Sequence, residues 1–235
     1  MIPGIEPAGE SKLPTVGQLF SHSLCLSVDD AHYATFARRF DRIFGMHPQR
    51  FDGYRLKGLG SRTNIMLGHT AIVKAAKALG WPYVIVFEDD ALPRDDAAEM
   101  LPKAVAALPD EATLVFLGWA VPHLMNRKVV NDLVARAWGR FAGAHAWLVT
   151  AAGYDAFLAK TVRINADVDM AARFIKHTCY LLRPLFIQAS GYDSTNHHGG
   201  YSGGGRCNMA SPPEGFSADS EVDEYLRRKG RLCQE

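Results

Sequence analysis

The chain has 235 residues, of which 48% are hydrophobic and 22% are charged, as is usual for a globular protein with a sizeable core. Its 26 lysines and arginines nearly balance its 25 aspartates and glutamates, so the charge gives no reason to expect nucleic acid as a partner. No apolar run reaches the roughly 18 residues of a membrane span, no apolar signal-peptide core begins the chain, and four scattered cysteines predict reduced thiols in the cytoplasm.

The beginning of the chain predicts an arm, then a strand and a helix. Residues 1–20 are polar and contain three prolines, which favours an arm that precedes the domain. Residues 23–28 alternate between polar and apolar side chains, as a strand does. Asp29 or Asp30 then offers an N-cap for a helix that ends near Phe44. Nucleotide-binding α/β folds commonly begin with a strand and a helix in this order.

A glycine-rich loop and a helix lead to the central strand. Residues 45–62 hold four glycines and several basic side chains, so they are predicted to form a loop that either faces phosphate or connects elements at the surface. Thr63 or Asn64 is the predicted cap of a helix over residues 65–79. Gly80 follows as the C′ residue of that helix, so the next apolar run begins a new element.

The apolar run Tyr83–Phe87 ends in three consecutive carboxylates, Glu88, Asp89 and Asp90. Such a run predicts a strand buried on both faces of a parallel sheet, and open α/β sheets bind ligands where those strands end. Side chains two apart on a strand point the same way, so Glu88 and Asp90 share one side and Asp89 takes the other. Because crowded carboxylates repel one another, the pattern favours a divalent cation that carries phosphate; a solvated or helix-capping acidic turn is the alternative.

The rest of the chain completes an α/β pattern. Further elements are predicted as strands over residues 113–117, 144–150 and 180–188 and as helices over residues 151–160, 170–176 and 220–229. The expected fold is a single Rossmann-like α/β domain over residues 21–190, with a mostly parallel central sheet flanked by helices. Residues 191–235 are expected to add a glycine-rich loop and a C-terminal helix that pack on the same domain.

Residues 67–93 (LGHTAIVKAAKALGWPYVIVFEDDALP) resemble the central signature of glycosyltransferase family 25, typified by galactosyl- and glucosyltransferases of lipopolysaccharide biosynthesis. That signature has a Ser-His pair on a helix, an apolar strand and Glu-Asp-Asp. Here His69 precedes Glu88 by nineteen residues (88 minus 69), as in the family. The chain departs from the family at two places. It has Gly68 where the family has serine, and it has Asn-Ile at residues 64–65 where the family has Gly-Cys. The chain therefore resembles a diverged member.

The resemblance implies a GT-A-like domain that binds a nucleotide sugar, such as a UDP-hexose, at the strand ends together with Mn²⁺ or Mg²⁺. It further implies the transfer of galactose or glucose, with inversion, to a glycan or lipid-linked glycan acceptor in the synthesis of cell-envelope polysaccharide. That activity would take place in the cytoplasm, at the inner face of the cytoplasmic membrane, with peripheral membrane contact through the acceptor.

The same resemblance gives roles to individual residues. Asp167 or Asp169 would deprotonate the acceptor hydroxyl, with helix capping as an equal alternative for at least one of them. His197 or His198 would complete the metal site, because GT-A enzymes often use a C-terminal histidine, and an exposed histidine pair is the alternative. Arg62 would neutralise phosphate unless its side chain is simply solvated. The candidate set is Asp167 and Asp169 for catalysis; His69, Arg62, Glu88 and Asp89 for the donor; and Glu88, Asp90, His197 and His198 for the metal.

Two other functions fit the same residues. A nucleotidyltransferase also uses strand-end carboxylates and a metal, but it transfers a nucleotide and releases pyrophosphate. A binding domain on a degenerate transferase fold would hold a nucleotide sugar or a glycan without reaction, and the altered residues 64–65 and 68 keep that hypothesis open. The products formed from a labelled donor distinguish the three functions.

Overall fold

The computed structural model describes residues 13–118, 125–139, 145–161 and 178–188. Among these residues no helix has both the length and the apolar character needed to cross a bilayer. The helices are α1 (Val16–Phe20), α2 (Asp30–Phe44), α3 (Ser61–Ala78), α4 (Ala97–Ala106) and α5 (Tyr154–Thr161). The strands are β1 (Ser23–Ser27), β2 (Gln49–Asp52), β3 (Tyr83–Glu88), β4 (Ala91–Pro93), β5 (Leu114–Gly118), β6 (Met125–Val129), β7 (Val134–Gly139), β8 (Ala146–Thr150) and β9 (Cys179–Gln188).

The strands of the described residues join one sheet in the order β2-β1-β3-β8-β5-β9-β7-β6, with β4 added beside β9. β1 runs parallel to β2 and β3, and β5 runs parallel to β9. β8 lies antiparallel between β3 and β5. The strands β1, β2, β3, β5 and β9 therefore share one direction. The predicted α/β class, with a mostly parallel central sheet flanked by helices, is confirmed, while the antiparallel strands within it were not predicted.

The central strand β3 is buried on both faces, as its unbroken apolar run predicted. Tyr83, Ile85 and Phe87 pack into a core that includes side chains of α1, α2 and α4. Val84 and Val86 pack into a second core with side chains of α3 and α5. All five side chains are at most 1% exposed, and the burial of each stabilises the fold by roughly 1.5–3 kcal/mol. The strand is therefore a rigid base for the residues at its end.

The boundary expected at residue 21 is wrong, because the residues just before it belong to the core. Helix α1 begins at a capping box in which Thr15 and Gln18 satisfy each other's backbone amides. Leu19 is fully buried, and the Phe20 ring lies 5.8 Å from the Phe87 ring of β3. The prolines that suggested an arm say nothing about these aromatic contacts. Residues 1–12 lie outside the described part of the chain.

Helix α3 also begins earlier than predicted, at Ser61, with Gly60 in the extended N-cap position. Asn64 is not the cap. Its side-chain oxygen accepts a hydrogen bond of 3.1 Å from the amide of Leu56, and its amide group donates to the carbonyls of Leu56 and Leu59. The polar side chain that suggested a cap therefore fixes the preceding loop. At the other end the prediction is confirmed, since Gly80 has a φ of 67° in the left-handed region.

Gly118, at the end of β5, allows three strands to approach one another. A Cβ atom there would lie 2.6 Å from the carbonyl oxygen of Phe186 and still closer to Nε2 of His145. His145 is 1% exposed, and its Nε2 lies 3.3 Å from that same carbonyl oxygen. A side chain at position 118 would therefore displace a buried imidazole that stands next to β3.

We expect Gly118→Ala to lower the free energy of unfolding by about 1–3 kcal/mol, because overpacking at this point forces the backbone or a buried ring to move. Urea denaturation at neutral pH measures the change. Gly17→Ala is the matched control, since a Cβ there would meet Met46 at an ordinary 3.7 Å and alanine is the better helix former. Equal stability of Gly118→Ala and the wild type would contradict this packing.

Candidate functional site

The three predicted carboxylates lie where two parallel strands end together. Leu26 of β1 pairs with Glu88 of β3, so β1 ends at the same edge of the sheet as β3. Asp89 and Asp90 form the turn that follows, and the chain then enters β4, which pairs with β9. This is the edge at which open α/β sheets bind ligands. The sequence prediction for the position of the triplet is therefore confirmed.

Glu88 faces helix α3, where it meets His69. Nε2 of His69 lies 3.4 Å from Oε1 of Glu88, and the side chains are 1% and 20% exposed, respectively. The imidazole also stands edge-on to the indole of Trp147, with ring centroids 5.4 Å apart. Neither ring nitrogen has a hydrogen-bond partner among the residues that the structure describes. Two residues that the sequence places nineteen positions apart therefore come together at the strand end.

Burial favours the neutral form of the His69 imidazole. A separation of 3.4 Å from a carboxylate would suit an ion pair if the ring were protonated. Complete burial works against the charged form, and it lowers the pKa of His69 to about 3. Burial is the larger effect, because the ring is fully enclosed and the contact with Glu88 lacks hydrogen-bond geometry. A neutral imidazole carries one donor and one acceptor nitrogen.

Gly68 allows the close approach of α3 that brings His69 to Glu88. A Cβ atom at position 68 would lie 2.6 Å from Cδ1 of Leu26 on β1. The side chain of Leu26 fills the space that a Cβ atom at this position would need. A side chain at position 68 would therefore require the end of the Leu26 side chain to shift.

Asp89 faces β1, on the other side from Glu88, as the alternation along the strand predicted. Oγ of Ser27 lies 2.5 Å from Oδ2 of Asp89 and 2.9 Å from the carbonyl oxygen of Asp29. Burial raises the pKa of the Asp89 carboxyl, and the hydrogen bond from Ser27 partly offsets this effect. Sequence reasoning missed Ser27; a small hydroxyl at the end of a parallel strand is the signal that could have revealed it.

The N-terminus of α2 adds further charges beside Asp89. Asp29 caps this helix as predicted, and its Oδ1 accepts hydrogen bonds from the amides of Ala31 and His32 at 2.9 and 3.0 Å. Nη2 of Arg55 lies 3.9 Å from Oδ2 of Asp29. Arg50 forms ion pairs with Asp30 and Asp52. The carboxylates around this end of β1 are therefore partly balanced by arginines.

Several predicted site residues remain untested. Asp167, Asp169, His197 and His198 lie outside the described residues. Arg62 is in the first turn of α3, but its side chain is not among those described. Within the described ranges, no group of three or more His, Cys, Asp or Glu side chains could hold a metal ion. Glu88 and Asp90 could at most supply part of such a ligand set.

No protein-family model and no curated protein sequence matches this chain. Among solved structures, A197 from STIV is similar at 13% identity with a TM-score of 0.40, over 70% of this chain and 81% of that one. A glycosyltransferase involved in the glycosylation of the major capsid of PBCV-1 is similar at 9% identity with a TM-score of 0.46, over 75% of this chain and 96% of that one. Mannose-1-phosphate geranyltransferase from Thermus thermophilus is similar at 13% identity with a TM-score of 0.37, over 69% of this chain and 59% of that one. Similarity at this level does not bear on the reaction that this chain performs.

The burial of His69 predicts a specific dependence of stability on pH. The pKa of His69 is about 3 in the folded chain, and a histidine in an unfolded chain has a pKa near 6.5. Between these values the unfolded chain binds a proton that the folded chain does not, so stability falls as the pH falls below about 6.5. This residue should contribute about 1.4 kcal/mol of loss per pH unit between about pH 6 and pH 4.

Chemical denaturation of the wild type and of His69→Leu in chelator, at a series of pH values, measures this contribution. We expect the stability of the variant to fall less steeply with decreasing pH. The same slope in both proteins would contradict this, because His69 would then have the same pKa in the folded and the unfolded chain, and a steeper fall in the variant would mean that pairing with Glu88 raises the pKa of His69.

Proposed function

We propose that this protein is a metal-dependent glycosyltransferase that transfers galactose or glucose from a UDP-sugar, with inversion, to a glycan or lipid-linked glycan acceptor. One observation carries the proposal: the buried His69 lies 3.4 Å from Glu88 at an acidic strand end, and its nitrogens have no hydrogen-bond partner among the described residues. A buried polar group left unsatisfied costs about 1–3 kcal/mol. A ligand with hydrogen-bonding oxygens and a positive charge would offset both this cost and the repulsion between the carboxylates.

A nucleotide diphosphate with a divalent cation is a ligand of that kind. Mg²⁺ and Mn²⁺ favour carboxylate oxygens, and Mg²⁺ is commonly held by one or two carboxylates together with substrate phosphates. Glu88 and Asp90 offer two carboxylates, which fits this mode of binding, and His197 or His198 is the proposed further ligand. When bound, the cation would stabilise the charge that develops on the diphosphate as the sugar leaves.

The remaining roles belong to side chains of the chain itself. His69 would donate a hydrogen bond to an oxygen of the nucleotide sugar or to Glu88. A neutral ring at this buried position avoids the cost of burying a positive charge. Asp89 would hold the end of β1 to that of β3 through Ser27 and border the donor. Arg62 would neutralise phosphate, and Asp167 or Asp169 would remove the proton from the acceptor hydroxyl.

The identity of the sugar and of the acceptor rests on the resemblance of residues 67–93 to glycosyltransferase family 25. Transferases of that type act on cell-envelope polysaccharide, so we propose lipopolysaccharide or a related glycan as the acceptor and the inner face of the cytoplasmic membrane as the place of action.

We expect Asp90→Asn to reduce kcat/KM for sugar transfer by about 10²–10³. The variant would lose a carboxylate that holds the cation, and the cation would stabilise the negative charge on the leaving diphosphate. Transfer from UDP-galactose and UDP-glucose, with Mn²⁺ and with chelator, is the measurement. Glu99→Gln on α4 is the matched control, since Glu99 is an exposed carboxylate paired with Lys103, and it should retain wild-type activity and metal dependence.

Transfer and Mn²⁺ dependence at wild-type levels in Asp90→Asn would overturn the proposal. Release of pyrophosphate with transfer of the nucleotide would identify a nucleotidyltransferase. Donor binding without transfer or hydrolysis under any acceptor would identify a binding domain.

A further inference from the structure

The loop that connects β2 to α3 exposes an unusual number of apolar side chains. Residues 53–60, the 53–60 loop, read Gly-Tyr-Arg-Leu-Lys-Gly-Leu-Gly. Tyr54, Leu56 and Leu59 are 38%, 48% and 43% exposed, respectively. Single exposed apolar residues are common on protein surfaces, but three in one short loop are a candidate for contact with another apolar surface.

The backbone of this loop is ordered by hydrogen bonds. The side chain of Asn64 hydrogen-bonds to both backbone groups of Leu56 and to the carbonyl of Leu59. The amide of Leu59 also donates to the carbonyl of Leu56 at 3.3 Å, which closes a turn. Gly58, at the tip, has a φ of 83° that favours glycine. The leucines are therefore presented on a shaped turn and not on a random coil.

The charges of the loop are all positive. Arg55 and Lys57 alternate with the apolar side chains, and the loop contains no acidic residue. Arg55 faces Asp29 at 3.9 Å, whereas Lys57 has no ion-pair partner within the described part of the chain. The nearby exposed carboxylates of Asp30 and Asp52 are bound by Arg50. Basic side chains interleaved with leucine and tyrosine suit an anionic lipid surface.

The loop also borders the candidate site. The amide of Gly53 donates to the carbonyl of Ser27 at 2.8 Å, and Ser27 contacts Asp89. A surface that touches the 53–60 loop would therefore lie beside the end of β1 and the acidic turn. An acceptor carried by that surface would need to travel only a short distance to the site.

We propose that the 53–60 loop docks on the surface of an anionic lipid bilayer, with Leu56 and Leu59 entering the headgroup region and Lys57 contacting anionic headgroups. The docked loop holds the candidate site next to lipid-linked acceptors. Only this last step rests on the proposed glycosyltransferase function; the membrane contact itself requires neither donor nor acceptor.

Sedimentation of the full chain with vesicles tests the proposal. The vesicles contain phosphatidylcholine and phosphatidylglycerol at about two to one, and pure phosphatidylcholine vesicles serve as the comparison. We expect binding to the anionic vesicles that weakens between about 0.1 M and about 1 M salt, where screening shortens from about 10 Å to about 3 Å. Leu56→Ser combined with Leu59→Ser should weaken binding about tenfold or more, and Lys57→Glu should weaken it by about fivefold or more.

Leu79→Ser is the matched control. Leu79 is 66% exposed, but it lies at the opposite end of α3, about 27 Å away along an 18-residue helix. This variant should bind vesicles as the wild type does, and equal melting temperatures would show that all variants are folded.

No binding to anionic vesicles, equal binding to pure phosphatidylcholine, or equal loss in Leu79→Ser would overturn the proposal. Loop variants that sediment normally but fail to bind a water-soluble glycan would also overturn it, because the loop would then be a glycan surface. Since sedimentation needs no turnover, membrane binding can succeed where the proposed transferase activity fails, and the reverse also holds.

Discussion

The crowding of three adjacent carboxylates at the end of a buried strand is the constraint on which this site depends. Strand β3 cannot move to relieve it, because its five apolar side chains are at most 1% exposed and are held between two cores. Two of the carboxylates therefore point in different directions. Glu88 turns towards α3, and Asp89 turns towards β1. Each then meets a different kind of partner.

The two partners differ in what they contribute. Ser27 supplies a hydroxyl donor to Asp89. Hydrogen bonds to charged groups contribute about 1.5–3 kcal/mol, and this range is an upper limit for the Ser27–Asp89 bond because Asp89 is not wholly buried. His69 supplies no charge to Glu88, since burial lowers its pKa to about 3. Asp89 thus has a hydroxyl partner, whereas the side that faces α3 contains a buried imidazole whose nitrogens have no hydrogen-bond partner among the described residues. A cation and a diphosphate would complete this second side, which is the physical basis for the proposed activity.

Much of this site could be predicted from sequence, because local patterns determine it. The unbroken apolar run predicted a strand buried on both faces, and the period of two along that strand predicted that Glu88 and Asp89 face opposite ways. Gly80 predicted the end of α3 through its left-handed backbone, and Asp29 predicted the start of α2 through its cap. Each of these signals needs only the residues within a turn or two of the chain.

The features that were missed depend on tertiary contacts. Leu19 and Phe20 look like part of a proline-containing arm until the aromatic rings of α2 and β3 are placed beside them. Asn64 looks like a helix cap, but its partners lie earlier in the chain, in the 53–60 loop. Ser27 and Trp147 could be linked to Asp89 and His69 only after the strand order was known. The antiparallel insertion of β8 between β3 and β5 likewise leaves no local trace.

The most direct measurement is a crystal structure of the protein with Mn²⁺ and UDP, in which anomalous scattering locates the metal. The proposed function predicts a manganese peak within coordination distance of a carboxylate oxygen of Glu88 or Asp90, with the diphosphate bound to the same ion at the end of β3. Manganese or diphosphate bound away from this strand end, or a diphosphate that binds here without metal, would contradict it.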